Sequence, residues 1–533
     1  MNRDWFWPGL ICVVFLGLAL RLHGIHDPLL DHPNWRQGDT ASIARNFATL
    51  NFNILYPQTN YDGPPPNYVE LELQIVPFLA ASLYKLFGIH EVFGRLITLA
   101  FSLGTIAVVG LFGRWLFSST IAGLSAACFY AIFPGSIYYG RTFTPDTAMV
   151  FFLTAALYVT TRLIVEDEFM HQRALARATA LLTFAYLAKP VAVAGILAVI
   201  AALWERLRSG RTLRPTAAGL LLFVPLFILA LYDNRVGEHA EWHWASGITT
   251  LHVIPSLKTA FTSASGFMLK LTQFREVLGM LRDTMLGTVA TLLAVAGFVA
   301  LPWTQSRCKS VLWGWLIGGI LYTYVVVTVE RVDYYMYLLL PLCALAIGAL
   351  ASRFVDWAMQ TDAPRAARYA IVSLLPILAI ACTAQSLAAI APYYSYNKQA
   401  YRNAVFLSHA LTPNALVVMG HYGPDVLYYI DRYGWEEDPA LWTPFDEESA
   451  IRKGARYYIS IEDNRLRANM NLCAYLQRFP VLNPNAEWIV YNTDPARQLR
   501  GSLTRWREFR VAEAVGLGRA FLDRTAPQCR LHR

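Results

Sequence analysis

The chain is 533 residues long, 55% hydrophobic and only 15% charged, with a formal net charge of +8. An average soluble protein carries about 25% charged residues, so this composition excludes an ordinary water-soluble enzyme, and nothing in it points to a nucleic-acid partner. The 15 Trp, 28 Tyr and 29 Phe suit a protein with many side chains at the membrane–water boundary.

The first apolar segment, Trp5 to Leu22, is long enough to cross a bilayer. No small-residue cleavage site follows it, so it reads as a retained span rather than a signal peptide. A polar interval then runs from His23 to Val69. It contains His32-Pro-Asn-Trp-Arg-Gln-Gly-Asp-Thr-Ala-Ser-Ile-Ala-Arg-Asn-Phe-Ala, which places Arg36, Asp39 and Arg45 beside a short amphipathic helix with Ile43 and Phe47 on one face. Such a run is either a solvated loop with its ordinary share of charge or a reaction centre held against a membrane for a lipid-borne substrate. Leu71 to Phe87 is short, carries Glu72, Gln74 and Lys85 and contains Pro77; it reads as an interfacial helix lying on the membrane.

Further spans fall near 92–116, 120–139, 147–165, 176–188, 190–204, 216–232, 284–303, 310–329, 335–352 and 369–391, making about eleven crossings. The short loops rich in arginine (Arg114; Arg173 and Arg177; Arg206, Arg208, Arg211 and Arg214; Arg307 with Lys309; Arg353, Arg365 and Arg368) share one side if the N-terminus is cytoplasmic. The positive-inside rule supports that orientation. It places 23–91, the large loop 233–283 and everything after Ala391 on the opposite, outer face. The expected organisation is a transmembrane catalytic domain over 1–391 and a small soluble α/β domain over 392–533.

That tail alternates helix-like runs (Gln399–Leu411, Pro424–Arg432) with β-rich runs (Ala415–Val418, Tyr457–Ile461, Trp488–Tyr491). Its acidic residues Glu436, Glu437, Asp438, Asp446, Glu447 and Glu448 read as a solvated face. Of the seven cysteines, only Cys473 and Cys529 lie in a soluble region where a disulfide is possible, and no spacing resembles a zinc site.

Several polar residues collect at the outer ends of spans. Pro145 and Asp146 open one of them, where a carboxylate favours the positive end of a helix dipole; a plain helix-start role for Asp146 competes with a functional one. Lys189 sits between the apolar half-segments Leu181–Ala188 and Val191–Ile200. An ammonium there faces an anion or a water-filled cavity, because an unpaired one is expensive. Glu330, Arg331, Asp333, Tyr334 and Tyr335 lead into another span, where the tyrosines also suit an interfacial belt.

These parts, in this order, resemble the GT-C membrane glycosyltransferases, in particular the bacterial members of the glycosyltransferase 39/83 group. That group includes the aminoarabinose transferase acting on lipid A and the protein O-mannosyltransferases. The resemblance covers about residues 5 to 352. The family's first-loop motif Asp-Glu-x-x-Tyr-Ala-x-Ile-x-Arg corresponds to Asp39-Thr-Ala-Ser-Ile-Ala-Arg45, with Thr40 in place of the second acid. Its Asp at a span opening corresponds to Asp146, its Lys in a Thr/Ala-Lys-Gly/Pro break to Lys189, and its aromatic entry to a Leu-Pro-rich span to Asp333-Tyr-Tyr-Met-Tyr-Leu-Leu-Leu-Pro341. A basic residue common before the interfacial helix is absent, and Asp62-Gly-Pro-Pro-Pro-Asn-Tyr-Val-Glu70 stands there.

The resemblance implies a polytopic GT-C fold and transfer of one sugar from a polyprenyl-phosphate donor to an extracytoplasmic lipid, glycan or protein, with inversion. A multi-pass protein of the bacterial inner membrane, with its C-terminal domain periplasmic, follows from it. Asp39 is the candidate base for the acceptor hydroxyl and Asp146 a second carboxylate. Lys189, Arg141, Arg331 and Arg45 are candidates to hold the donor phosphate. Arg36, Glu70, Asp333 and Tyr334 are candidate donor or acceptor contacts. A divalent cation on Asp39, Asp146, His239 or His243 stays open, as do a lipid-linked sugar flippase, a polysaccharide polymerase or ligase, and a non-enzymatic polysaccharide-binding scaffold.

Overall fold

The computed structural model describes residues 5–166, 171–360, 364–482 and 487–530. The chain packs as two compact units. The larger comprises Met1–Asp27, Glu70–His239 and His243–Tyr394; the smaller comprises Pro28–Val69, Ala240–Trp242 and Ser395–Arg533.

The larger unit is helical. Glu91–Phe117, Asp146–Val165, Pro190–Arg208, Pro215–Gly237, Ser310–Glu330, Asp333–Gln360 and Arg365–Tyr394 are each long and apolar enough to cross a bilayer. Ala264–Leu286 and Thr288–Trp303 meet that requirement together, although the chain turns by 107° between them. The turn is at Gly287, whose φ of +81° an L side chain adopts only with strain. Phe6–Arg21, Ile75–Phe87 and Thr120–Ile132 are shorter apolar helices. All segments read as crossings are helical, but those at 6–21, 120–132 and 172–188 fall short of a full span's length.

The interval read as the loop 233–283 is also largely helical. Ile254–Thr262 and Ala264–Met280 follow one another, and the second is opened by Ser263, whose hydroxyl accepts the Gly266 N–H. The local sequence mixes Lys258, Lys270, Arg275 and Glu276 with apolar residues, which hid this helix pair from a hydropathy reading.

Large apolar side chains such as Phe223, Phe227, Leu292, Val299 and Ile380 are exposed on the outside of this unit, as befits a surface solvated by lipid. Inside, small residues let helices approach. A Cβ on Gly314 or Gly318 would meet the Leu197 or Ala194 carbonyl oxygen at 2.3 or 2.1 Å, so this helix backs closely onto the chain that follows Lys189. Asp333–Gln360 runs through the most buried part of the unit.

The smaller unit contains a five-stranded sheet in the order Gly434–Glu436, Leu416–Gly420, Ala455–Ser460, Ile489–Asn492, Val481–Leu482. The first three strands are parallel, with Val418 opposite both Trp435 and Tyr458; Ile489–Asn492 runs antiparallel to both of its neighbours, Ala455–Ser460 and Val481–Leu482. This is the α/β architecture expected from the tail's alternating pattern. Helix Asn34–Thr49 packs in the same unit against helix Pro424–Ile430. Gly38 permits that contact: a Cβ there would lie 2.5 Å from the Asp425 Cα.

Cys473 and Cys529 form a disulfide. It closes a loop spanning 56 residues, and Cys473→Ser is expected to cost about 2–5 kcal/mol of stability in this unit. Denaturation of the membrane-extracted protein with and without reductant measures it, and the wild type alone should respond to reductant.

Candidate functional site

Within the membrane unit, the site is built on a break in a helix. Gln172–Ala188 ends at Lys189 because Pro190 disfavours the α conformation in the residue before it; Lys189 is extended, with φ −165° and ψ 122°. The chain then makes a short 3-10 stretch, Pro190–Gly195, before helix Ile196–Arg208. The break is tied down by the Leu73 N–H, which donates to the Leu187 carbonyl at 2.8 Å.

The Lys189 Nζ donates to Asp146 Oδ1 at 2.6 Å. Lys189 is 7% exposed and Asp146 1%. Asp146 lies in the first turn of helix Asp146–Val165, whose dipole favours its charge. Its other oxygen, Oδ2, is buried and accepts no hydrogen bond. The Nζ also stands 4.5 Å from the Tyr335 ring centroid and 5.2 Å from that of Tyr334, contacts that favour a cation. The ammonium has three donors, so engaging Asp146 leaves capacity for a second anion. The Tyr322 hydroxyl is buried without a hydrogen-bond partner and interacts electrostatically with Asp146, Tyr334 and Tyr335. In the sequence it looked like any tyrosine near the end of a span, and no signal marked it.

Other candidates in this unit have different surroundings. Asp333 accepts the Tyr139 hydroxyl on Oδ1 and the Tyr393 hydroxyl on Oδ2, both at 2.6 Å, and its Oδ1 also accepts the Tyr334 N–H at 2.8 Å. It therefore fixes Tyr334 beside Lys189. Arg141 is fully buried, donates to the Gly24 carbonyl at 3.1 Å, and lies over the rings of Tyr138 and Tyr394. Arg95 donates to the same carbonyl at 2.6 Å, so the two arginines hold the chain that leaves the first helix. Arg331 has a half-exposed side chain 3.6 Å from Glu276. Glu70 is buried; its Oε2 accepts both the backbone N–H and the hydroxyl of Ser246, with His243 Nδ1 at 3.8 Å.

In the smaller unit, helix Asn34–Thr49 presents Asp39, which is 2% exposed. Its Oδ2 accepts from Arg36 Nη1 at 2.7 Å and its Oδ1 from the Tyr61 hydroxyl at 3.0 Å. Both bonds stabilise the carboxylate form and fix its orientation. Arg45, one turn and a half further on, donates to Asp431 Oδ1 at 2.6 Å and to the Tyr428 carbonyl at 3.0 Å, with its guanidinium 3.9 Å from the Tyr428 ring centroid. Its charge thus anchors the helix to the C-terminal part of the unit.

The acidic run after Gly434 departs from a simple solvated face. Glu436 is 4% exposed and Glu447 fully buried, the latter accepting the Trp442 indole N–H at 2.9 Å. All three residues of strand Gly434–Glu436 are buried, Glu436 among them. Burial, with the charges of Asp62 and Glu437, pushes the Glu436 carboxyl up to about 9. Burial and Asp62 push Glu437 to about 7, and burial and Asp39 push Asp62 to about 6. These groups hold protons more tightly in the folded state than in the unfolded one. Their contribution is therefore fully present below about pH 4 and is lost as the pH rises through about 6 to 9. Thermal unfolding of the full-length protein should show this unit losing on the order of a few kcal/mol across that window. Glu436→Gln should flatten the profile and raise stability at the alkaline end.

Among the described residues no group of three or more His, Cys, Asp or Glu side chains is placed to hold a metal ion. His239 and His243 belong to no such group.

Residues 74–232, which include Asp146 and Lys189, match the family described as dolichyl-phosphate-mannose-protein mannosyltransferase. Among solved structures, the chain is similar to ArnT from Cupriavidus metallidurans bound to undecaprenyl phosphate. The likeness has a TM-score of 0.56 at 13% identity and covers 92% of this chain and 98% of that one. The apo state of the same protein gives a TM-score of 0.53 at 13% identity, covering 90% and 97%. The chain has the GT-C fold. It is a multi-pass membrane protein, and the likeness to GT-C glycosyltransferases read from its motifs is borne out. No curated protein matches it in sequence.

Proposed function

We propose that this protein is a glycosyltransferase of the bacterial inner membrane that moves one sugar from a polyprenyl-phosphate donor to an extracytoplasmic acceptor. The N-terminus is cytoplasmic and the C-terminal region periplasmic, a reading supported by the arginine-rich short loops. The observation that carries the proposal is the buried Lys189–Asp146 pair at a helix break, inside the segment that matches the mannosyltransferase family.

A sugar on polyprenyl phosphate already has a good leaving group, so the reaction needs fixed positive charge more than a protonating acid. Lys189 supplies that charge from a low-dielectric site, steered by Asp146. The acceptor hydroxyl oxygen attacks the anomeric carbon, and the bond from that carbon to the phosphate oxygen breaks, its electron pair staying with the phosphate. The acceptor proton passes to Asp39, held as a carboxylate by Arg36 and Tyr61. One displacement inverts the anomeric centre. Arg141, Arg45 and Asp333 act as positioning residues, each engaged with backbone, carboxylate or tyrosine partners.

The test is mass spectrometry of lipid-linked sugars and envelope glycans from cells with and without the gene. A polyprenyl-phosphate sugar should accumulate on deletion while one envelope component loses a single residue. An unchanged lipid-linked pool together with unchanged glycans would overturn the proposal.

A further inference from the structure

The last part of the smaller unit carries a helix pair, Ser502–Ala514 and Gly518–Thr525, joined at Val515-Gly516-Leu517. Phe509 and Leu522 bury the inner face of the pair, and the Cys473–Cys529 disulfide ties the chain beyond it to helix Met470–Leu476. The outer face is open. Arg507, Val511 and Val515 follow one another at four-residue steps, so they share one side of the first helix. Val511, Val515 and Leu517 are 68, 65 and 59% exposed, and Ala514 between them is exposed as well. Apolar side chains gathered this openly at one tip mark a surface with a partner, unlike single ones scattered over a protein.

The surroundings of the tip are cationic. From residue 500 to residue 530 the chain has seven arginines and three carboxylates. Arg510 donates to the Asn471 side-chain oxygen, Arg519 to the Cys529 and Arg467 carbonyls, Arg524 to that of Ala520 and Arg530 to that of Asp523. Each is held by a neutral oxygen, which leaves its charge to attract an anion. The tip also lies at a particular end of the unit. Asn471 bonds both Arg510 and Glu513, and the nearby Asn469 bonds the Pro439 carbonyl, three residues beyond strand Gly434–Glu436. This is the carboxyl end of the parallel strands. Residues 28–49, which come directly from the first apolar helix, pack at the same end, where Asn34 bonds Asp425 at the start of the helix that follows Leu416–Gly420.

We propose that the 511–517 tip is a membrane-docking surface, whose apolar side chains enter the headgroup region of an anionic bilayer while the flanking arginines meet lipid phosphates. Ser395 follows directly on the span Arg365–Tyr394, so the unit is tethered to a bilayer by its own chain. A tethered surface needs little intrinsic affinity, because its partner is held at high effective concentration. A soluble polyanion would engage the arginines but leave Val511, Val515 and Leu517 in water. Apolar side chains flanked by arginines are what an interfacial segment presents to anionic lipid.

Full-length protein with a benzophenone amino acid in place of Val515 tests this in nanodiscs of equal parts phosphatidylglycerol and phosphatidylcholine. Irradiation should attach phospholipid, read as a lipid-mass adduct on the peptide that contains the label. The same group in place of Lys453, which is exposed just before strand Ala455–Ser460 and so at the amino end of the parallel strands, should attach none. Nanodiscs of phosphatidylcholine alone should lower the Val515 adduct about tenfold, and so should the variant Arg507→Gln/Arg524→Gln. The docking surface is overturned by no lipid adduct at Val515, by equal yields at the two positions, or by a crosslink to protein in place of lipid. A yield indifferent to both lipid charge and the arginines overturns it as well. None of these readouts requires sugar transfer, so the result stands apart from the glycosyltransferase reading.

Discussion

Asp39→Asn is expected to lower sugar transfer by about 10²–10⁴-fold, the range for loss of a positioned general base, in a protein that still folds. The substitution preserves shape, and the amide oxygen can still accept from either Arg36 or Tyr61. The loss of the charged hydrogen bond should therefore cost only about 1–3 kcal/mol of stability. In a purified assay the fall should appear in kcat, with KM for the lipid donor nearly constant, because the carboxylate acts on the acceptor's proton. Tyr61→Phe is the companion variant. It keeps the base and removes one bond that orients it, so its effect should be nearer tenfold, equivalent to about 1.4 kcal/mol. Transfer that survives Asp39→Asn would remove the base assignment.

The second large effect concerns the Lys189–Asp146 pair. Lys189→Met leaves Asp146 buried with neither oxygen paired to a cation, and breaking a buried pair in this way costs about 3–5 kcal/mol. Asp146→Asn added to it should restore much of that stability, since both charges are then gone. Activity should not follow. The double variant lacks the ammonium assigned to the departing phosphate, and removal of one such electrostatic group lowers kcat by about 10²–10³-fold. Stability and transfer measured on the same three proteins, wild type, Lys189→Met and the double variant, separate the two roles. If the double variant recovers both together, the pair is a structural staple only.

Lys189 was legible in the sequence because two rules coincide there: a proline that ends a helix, and a cation inside an apolar run. The helices were legible for the same reason that hydropathy works at all, namely that backbone polar groups in lipid must be satisfied within the segment. The turn at Gly287 was not, because the mixed polar helix before it has no strong period. The joining of residues 28–69 with 395–533 in one unit also leaves no local mark. It depends on contacts such as Gly38 against the Asp425 backbone, and neither residue advertises the other. Glu436 was misread with its acidic neighbours for a related reason: composition suggested solvent, whereas its place on a short strand next to a central one turned it inward. For the candidate site, Asp39, Asp146 and Lys189 were visible as residue types in context. The hydroxyls of Tyr61, Tyr139, Tyr322 and Tyr393 were not, since a tyrosine's partner is decided by tertiary packing.

Helix Asn34–Thr49 is made early in synthesis, but what holds it is made late. Asn34 bonds Asp425, Arg45 bonds Asp431, and the nearby Leu29 N–H bonds the Tyr429 hydroxyl, across sequence separations of 391, 386 and 400 residues. A ribosome that has completed most of the membrane helices has therefore not yet produced the partners that anchor this helix, although Arg36 and Tyr61 already stand beside Asp39 in sequence. The helix carrying the candidate base stays unanchored until the last quarter of translation, and a message truncated before residue 425 yields a chain without those anchors.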